Sequence, residues 1–170
     1  MMYIENIFIC ISIPLLLSLI FIQGEARKYT LFVCIGMGIC VLSAYVSSFF
    51  MNYYGVDTIE ASIEITPVCE EVMKLFPLLF YILIFEPQRS QIPRVAIAIA
   101  VGFATFENVC YLTENGAADF DLLLIRGIST GALHILCGIF IGFGAAVISG
   151  VMFIRMYQWL TVFVLLCHFH

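Results

Sequence analysis

Long apolar runs that contain a few ionisable residues are the feature that most constrains the fold of this chain. Several runs reach the roughly 20 residues that a helix needs to cross the hydrocarbon core of a bilayer. Glu70, Glu71, Glu107 and His134 lie inside such runs, and His168 lies near the end of the last one. A charged side chain at the centre of a membrane helix costs about 2.5–3.5 kcal/mol on the translocon scale. Such residues usually face a bundle interior or a water-filled cavity, so they are candidates for function.

The composition is that of a polytopic membrane protein. Of the 170 residues, 63% are hydrophobic and only 11% are charged, whereas a soluble domain carries roughly 25% charged residues. The net charge is −5 and no basic patch occurs in the sequence, which argues against a nucleic-acid partner. We therefore predict an all-α bundle that contacts the lipid bilayer and forms a single transmembrane domain over residues 1–170.

The apolar runs predict about six transmembrane helices, with breaks that contain Gly, Pro, Asn or Ser. The predicted spans are residues 2–22, 29–51, 66–85, 93–112, 121–148 and 151–170. Residues 1–65 then hold two helices and an acidic loop, and residues 66–170 hold the polar motifs. Because the last run ends on a pair of histidines, we expect the motif-bearing part to be truncated at its C-terminus.

The charges of the predicted loops indicate the orientation of the bundle, because Lys and Arg favour the cytoplasmic side. The first, third and fifth loops carry the cations Arg27, Lys28, Arg89, Arg94 and Arg155. The second and fourth loops carry the acids Asp57, Glu60, Glu64, Glu114, Asp119 and Asp121. Both termini are therefore predicted to be extracytoplasmic. At about 1.5 Å per residue, the ionisable residues of the spans all fall in the outer half of the membrane.

The third predicted helix carries a pair of glutamates followed by a lysine. Lys74 lies about one helical turn from both Glu70 and Glu71. Neighbouring residues on a helix point about 100° apart, so the two carboxylates should not share one task. We expect one glutamate to face a reaction centre and the other to pair with Lys74 or with a neighbouring helix. The spacing does not distinguish the two.

The fourth and fifth predicted helices each carry a polar stripe. Phe103, Glu107 and Tyr111 recur every four residues, Asn108 adds an amide donor, and buried polar groups need partners. This stripe is therefore predicted to face the third helix. In the fifth helix, Arg126 and His134 share a face with Gly138 and Gly142. The small-xxx-small pairs Gly127/Gly131 and Gly138/Gly142 of this helix permit close helix approach. Arg126 is interpreted either as an interfacial anchor or as a counter-charge for the glutamates.

These residue types support two kinds of hydrolytic centre. A glutamate can take a proton from a water molecule while a histidine orients the water or stabilises the oxyanion. Alternatively, histidines and glutamates can hold a zinc ion that keeps one position open for water. The cofactor is thus either none or a zinc ion. Its ligands would come from Glu70, Glu71, Glu107, His134 and His168.

The motifs resemble the PrsW family of intramembrane proteases and, more distantly, the CAAX prenyl proteases. The resemblance covers roughly residues 66–170 and rests on Glu70-Glu71-x-x-Lys74, Phe103-x-x-x-Glu107-Asn108-x-x-Tyr111, Arg126 with His134, and a late helix histidine. It implies a membrane endopeptidase, in a prokaryotic cytoplasmic membrane, that cuts a membrane-anchored protein such as an anti-sigma factor near the extracytoplasmic side.

The resemblance also assigns roles to single residues. It places Glu70 and Glu71 on the paired glutamates of the family, Glu107 on its second glutamate, and His134 and His168 on its histidines. Two other functions use the same residue types. The chain could be a non-catalytic membrane scaffold in which these groups only join helices, or a proton- or ion-conducting bundle. A conducting relay should cross the membrane, whereas the acidic groups here lie toward one face.

Overall fold

A computed structural model describes residues 4–115 and 120–168, together with the side chains of residues 4–114 and 121–150. The described residues form helices and no strand, which confirms the all-α prediction. The helices are α1 (Ile4–Ser18), α2 (Gly24–Tyr54), α3 (Thr58–Glu60), α4 (Thr66–Phe85), α5 (Ile92–Asn115) and α6 (Phe120–His168). A π-helical segment, Ala61–Ile65, joins α3 to α4, and a 3₁₀ turn, Arg89–Gln91, precedes α5.

The helix ends follow local sequence signals. Helix α2 stops at Gly55, whose φ of 67° is left-handed and whose N–H donates to the carbonyl of Met51 at 3.0 Å; glycine accepts this conformation without steric cost. Asp57 caps α3 by accepting a hydrogen bond from the N–H of Glu60 at 2.8 Å. Pro67 stands in the first turn of α4, where its missing N–H is no loss. These signals place the start of α4, which carries the glutamate pair.

Three of the described helical segments are long and apolar enough to cross a membrane: Gly24–Tyr54, Arg89–Glu114 and Asp121–Gly150. Helix α4 has 20 residues, but Glu70, Glu71 and Lys74 interrupt its apolar character. Helix α1 has 15 residues and is shorter than the predicted first span because the chain turns at Leu19–Ile22. The prediction of about six spans is therefore not confirmed.

The structure has no break where the fifth and sixth predicted spans should meet. Helix α6 runs continuously through Ser149 and Gly150. The Ser149 hydroxyl donates to the carbonyl of Ala146 at 3.0 Å, so this serine stays within the helix. Any side chain at Gly150 would collide with the guanidinium of Arg89. The glycine that predicted a break instead makes room for a neighbouring side chain, and its intrinsic helix cost of about 1 kcal/mol is too small to end the helix.

Helix α5 is the centre of the bundle and packs most extensively on α2 and α6. A Cβ atom at Gly36 would collide with the backbone of Ile99, and one at Gly102 would collide with the backbone of Val33. The backbones of α2 and α5 therefore touch, as small residues permit in membrane helices.

The α5–α6 contact relies on glycines in the same way. A Cβ at Gly138 would lie 2.9 Å from the Cβ of Ala100, and one at Gly142 would lie 2.7 Å from the Cα of Pro93. This confirms the close approach predicted for Gly138 and Gly142. At Gly131, by contrast, a Cβ would meet nothing within 4 Å, so the approach predicted for Gly127 and Gly131 is not found. Large side chains of α5 fill the remaining space, and Phe103 and Phe106 have no exposed surface. Phe106 also meets Phe8 of α1 edge to face, with ring centroids 5.7 Å apart.

We predict that Gly102→Ala destabilises the protein by about 1–3 kcal/mol, because a methyl group must displace backbone atoms of α2. Gly144→Ala is the matched control: it lies in a helix and nothing stands within 4 Å of the place that a Cβ would take there, so alanine should leave stability unchanged or raise it by up to about 1 kcal/mol. Thermal denaturation in detergent measures both effects. An equal change in stability in the two variants would contradict the close α2–α5 contact.

Candidate functional site

Polar side chains from three helices meet at one level of the bundle. They come from the first half of α4, the second half of α5 and the beginning of α6. The side chains are Glu70, Glu71 and Lys74 of α4, Glu107 and Asn108 of α5, and Arg126 and His134 of α6. We call this set the charged network. Its members are brought together by the close packing of α5 against α6 and by contacts of α4 with both helices.

Lys74 links α4 to α6. Its Nζ lies 2.7 Å from Glu71 Oε1 and 2.7 Å from His134 Nδ1. The ammonium group also stands 4.0 Å from the ring centroid of Phe103, a distance at which an aromatic face attracts a cation. Only 5% of the Lys74 side chain is exposed, so these contacts compensate for the loss of hydration that burial imposes on a charge.

Glu107 links α5 to α6 through both of its carboxylate oxygens. Oε2 lies 2.6 Å from His134 Nε2, and Oε1 accepts a hydrogen bond of 3.0 Å from Arg126. Arg126 also donates to Asn108 Oδ1 at 2.7 Å and stacks its guanidinium 3.9 Å from the ring centroid of Tyr111. Arg126 is therefore a counter-charge of Glu107, which decides between the two interpretations of this arginine.

Glu70 differs from the other carboxylates of the charged network. It makes no hydrogen bond or ion pair with any residue that the structure describes. It is half-buried and lies within electrostatic range of Glu107, Lys74 and His134. Glu71, by contrast, is tied to Lys74 through Oε1, while its Oε2 is buried with no hydrogen-bond partner among the described residues. The two adjacent glutamates therefore have separate environments, as the helical geometry predicted.

The structure brings together most of the residues singled out in the sequence, and the contacts differ from expectation in one respect. The stripe of Phe103, Glu107 and Tyr111 was predicted to face the third helix, which is α4. Phe103 does contact Lys74 of α4, but the direct partners of Glu107 and Tyr111 are His134 and Arg126 of α6. The reason is that glycines draw α6 against α5, whereas α4 packs on α5 less extensively. His168 ends α6, and its side chain lies outside the described residues, so its place in the site stays a prediction.

The sequence placed Phe103 on a stripe predicted to face α4, but it did not predict that the ring would contact the ammonium of Lys74. Its ring lies under the Lys74 ammonium and 5.1 Å, centroid to centroid, from the imidazole of His134. The signal in the sequence was the spacing of four residues before Glu107, which places the ring on the same face one turn away.

The charged network, as arranged, does not fit a metal centre. Carboxylates and imidazoles are good zinc ligands, but no three His, Cys, Asp or Glu side chains converge as ligands in the described part of the chain. The position between Glu71 Oε1 and His134 Nδ1 is taken by the ammonium of Lys74. Nε2 of His134 is engaged by Glu107. A metal ion at this position would have to displace the ammonium group of Lys74.

Comparison with known families agrees with the sequence motifs. The model of the PrsW family of intramembrane metalloproteases matches residues 25–168. The match extends from the first turn of α2 to the end of α6 and contains every residue of the charged network. No curated protein and no solved structure matches the chain.

We predict that Lys74→Met lowers the free energy of unfolding by about 1–3 kcal/mol, because it leaves partners of a buried cation unsatisfied. Lys28→Met is the matched control. Lys28 also pairs with a glutamate three residues earlier, at 2.9 Å, but Glu25 is 58% exposed, so the pair contributes at most about 1 kcal/mol. Chemical denaturation in mixed micelles compares the two. An equal loss of unfolding free energy in the two variants would show that the Lys74 contacts do not stabilise the fold.

Proposed function

Because this chain belongs to the PrsW family of intramembrane metalloproteases, we propose that its charged network hydrolyses a peptide bond of a membrane-anchored protein by a water molecule that Glu70 activates. Membership of this family identifies the chain as an intramembrane protease. The contacts of the described residues support different roles for Glu70, Glu71 and Glu107. The single observation that carries the proposal is that Glu70 is uncommitted while Glu71 and Glu107 are held by cations and by His134.

Glu70 has the properties of a general base. A base must offer a lone pair within reach of the proton that it takes. Protonation of Glu107 would weaken the contacts that its two oxygens make with Arg126 and His134, whereas Glu70 has no such contacts with the described residues to lose. Glu70 is half-buried and lies within electrostatic range of the other charged groups of the network. Glu71 and Glu107 then serve to hold Lys74, His134 and Arg126 in place.

The proposed reaction needs no further reactant. The oxygen of a water molecule attacks the carbonyl carbon of the substrate, and Glu70 accepts the proton that the water loses. The negative charge that develops on the carbonyl oxygen is stabilised by the nearby positive charge of Lys74 and by His134. When the C–N bond breaks, the protonated Glu70 returns its proton to the leaving nitrogen, which yields a carboxyl terminus and an amine. Burial strengthens these charge interactions.

The position of the network supports cleavage near one membrane surface. Helix α2 ends in exposed aromatic residues, Tyr53 and Tyr54 among them, and such residues are typical of membrane–water interfaces. Helix α4 begins about twelve residues later, and Glu70 follows within about one turn of its start. By the charges of the loops, this surface is the extracytoplasmic one. A membrane-anchored regulator such as an anti-sigma factor of a prokaryotic cell would present a bond at that depth.

We also propose that His168 joins this centre. As one straight rod, the 49 residues of α6 would extend about 74 Å at a rise of about 1.5 Å per residue. That length is more than twice a hydrocarbon core of roughly 30 Å. Gly150 lies 16 residues after His134 and 18 before His168. This proposal departs from the continuous α6 described above: in a bilayer the chain would have to reverse near Gly150, which would complete six spans, place both termini outside and bring the two histidines to similar depth.

We expect Glu70→Gln to reduce cleavage by about 10²–10⁴-fold, the range that general acid–base catalysis supplies. Its thermal stability should change little, because Glu70 makes no hydrogen bond in the described structure. Glu71→Gln should lower stability as well as activity. The measurement is release of a tagged fragment from a panel of single-span reporter proteins in membrane vesicles, with denaturation of each purified variant alongside.

The control for this experiment is Glu64→Gln, which changes an exposed glutamate of the π-helical segment before α4 and should leave cleavage intact. Undiminished cleavage by Glu70→Gln would exclude Glu70 as the base. If the wild-type protein cleaves no reporter but carries protons across liposomes, the conducting-bundle alternative gains support. Loss of stability without any cleavage by the wild type would favour a scaffold.

Chelation tests the glutamate mechanism separately. Because Lys74 occupies the place between Glu71 and His134, we expect cleavage to persist after exhaustive treatment with 1,10-phenanthroline. Metal analysis of the purified protein should find less than one zinc per chain. Loss of cleavage that added zinc restores would show that the catalytic state holds a metal, and that Lys74 moves aside to admit it.

A further inference from the structure

His134 is held at both ring nitrogens. Nδ1 lies 2.7 Å from Nζ of Lys74, and Nε2 lies 2.6 Å from Oε2 of Glu107. The ring is buried, and its centroid lies 5.1 Å from that of Phe103. Heavy-atom distances of this length are hydrogen bonds, and each bond needs one donor and one acceptor. The positions of the protons therefore follow from the chemistry of the two partners.

Lys74 can only donate. An ammonium group carries three N–H donors and no lone pair. Its contact with the carboxylate of Glu71 at 2.7 Å and its position 4.0 Å from the centroid of the Phe103 ring both favour the charged form. A protonated Nδ1 on His134 would place two donors against each other at hydrogen-bond distance. Nδ1 must therefore accept.

Glu107 is the acceptor on the other side. Arg126 donates to its Oε1 at 3.0 Å, and this contact favours the ionised carboxylate, which only accepts hydrogen bonds. The proton of the imidazole then lies on Nε2 and is donated to Oε2. The alternative partner for a protonated Nδ1 is Glu71 Oε1, but that atom is 3.6 Å away and is already bound by Lys74.

We propose that Lys74 is a positioning residue that holds His134 as the neutral tautomer with its proton on Nε2. In this state neither nitrogen offers a free lone pair: Nδ1 is engaged by the ammonium group, and Nε2 carries the proton. His134 is then not a metal ligand, although the family that includes this chain is described as metalloproteases. Its N–H holds Glu107, or turns to a developing oxyanion; this last role rests on the function proposed above.

Nitrogen-15 NMR of the histidine rings tests the tautomer without any substrate. The chain has three histidines, so the His134 signals are those lost in His134→Gln. In the wild-type protein in detergent at neutral pH, we expect two well separated nitrogen-15 signals from the His134 ring. The Nε2 signal should show coupling to a bound proton, and the Nδ1 signal should show none. In Lys74→Met the separation should shrink toward the average of exchanging tautomers. Lys74→Arg keeps a charged donor and should retain the wild-type pattern.

Lys28→Met is the control. Lys28 is the other of the two lysines in the chain and pairs with the exposed Glu25, so this variant should leave the spectrum unchanged. A wild-type spectrum with the proton on Nδ1, or with both nitrogens protonated, would overturn the inference. So would an unchanged pattern in Lys74→Met. If Lys74→Met does not fold, the wild-type and Lys74→Arg spectra decide the question by the same criteria.

Zinc addition provides a second readout. We expect one equivalent of zinc to leave the His134 ring signals in place in the wild-type protein, and a shift of the Nδ1 signal to that of a metal-bound nitrogen would contradict the proposal. The tautomer can be present even if the chain cleaves no reporter protein. Failure of the proposed protease mechanism and failure of this inference therefore give different results.

Discussion

The buried ammonium of Lys74 is the interaction on which the arrangement of the site depends. A cation in an apolar bundle must find anions, lone pairs or aromatic faces, because it cannot keep its hydration. Lys74 finds Glu71, His134 and the ring of Phe103, and these belong to three helices. Its position thereby determines which glutamate is bound and which is left uncommitted. It also determines which nitrogen of the histidine can carry a proton.

The charged network can form because α5 lies in direct contact with its neighbours. Gly102 allows the backbones of α5 and α2 to touch, and Gly138 and Gly142 bring α6 against α5. In a bilayer, packing contacts of this kind replace the hydrophobic effect that drives helix association in water. They bring Glu107 and His134 within hydrogen-bond distance, and each polar contact then adds to the attachment of the helices. Packing and charge pairing thus support the same geometry.

The family is one of proteases, and the described geometry favours one kind of catalysis within it. Both ring nitrogens of His134 and both oxygens of Glu107 are engaged by groups of the protein, so a metal ion would have to replace contacts that these residues already make. Glu70 remains uncommitted. A glutamate beside a buried positive charge can accept a proton from water and return it later, which is the chemistry that amide hydrolysis requires. In this interpretation the network serves to position residues around Glu70.

The sequence alone determined the membrane class, the helical fold, the residues of α4, α5 and α6 that carry polar groups, and the family. Apolar run length and helical periodicity are local properties, and a motif can be recognised without coordinates. Sequence alone could not show that Glu71 rather than Glu70 pairs with Lys74, since both stand within one turn of it. Nor could it show that Gly150 accommodates Arg89 within a continuous helix. Those outcomes depend on which neighbouring helix approaches each face, and only the packing of α4, α5 and α6 in three dimensions decides that.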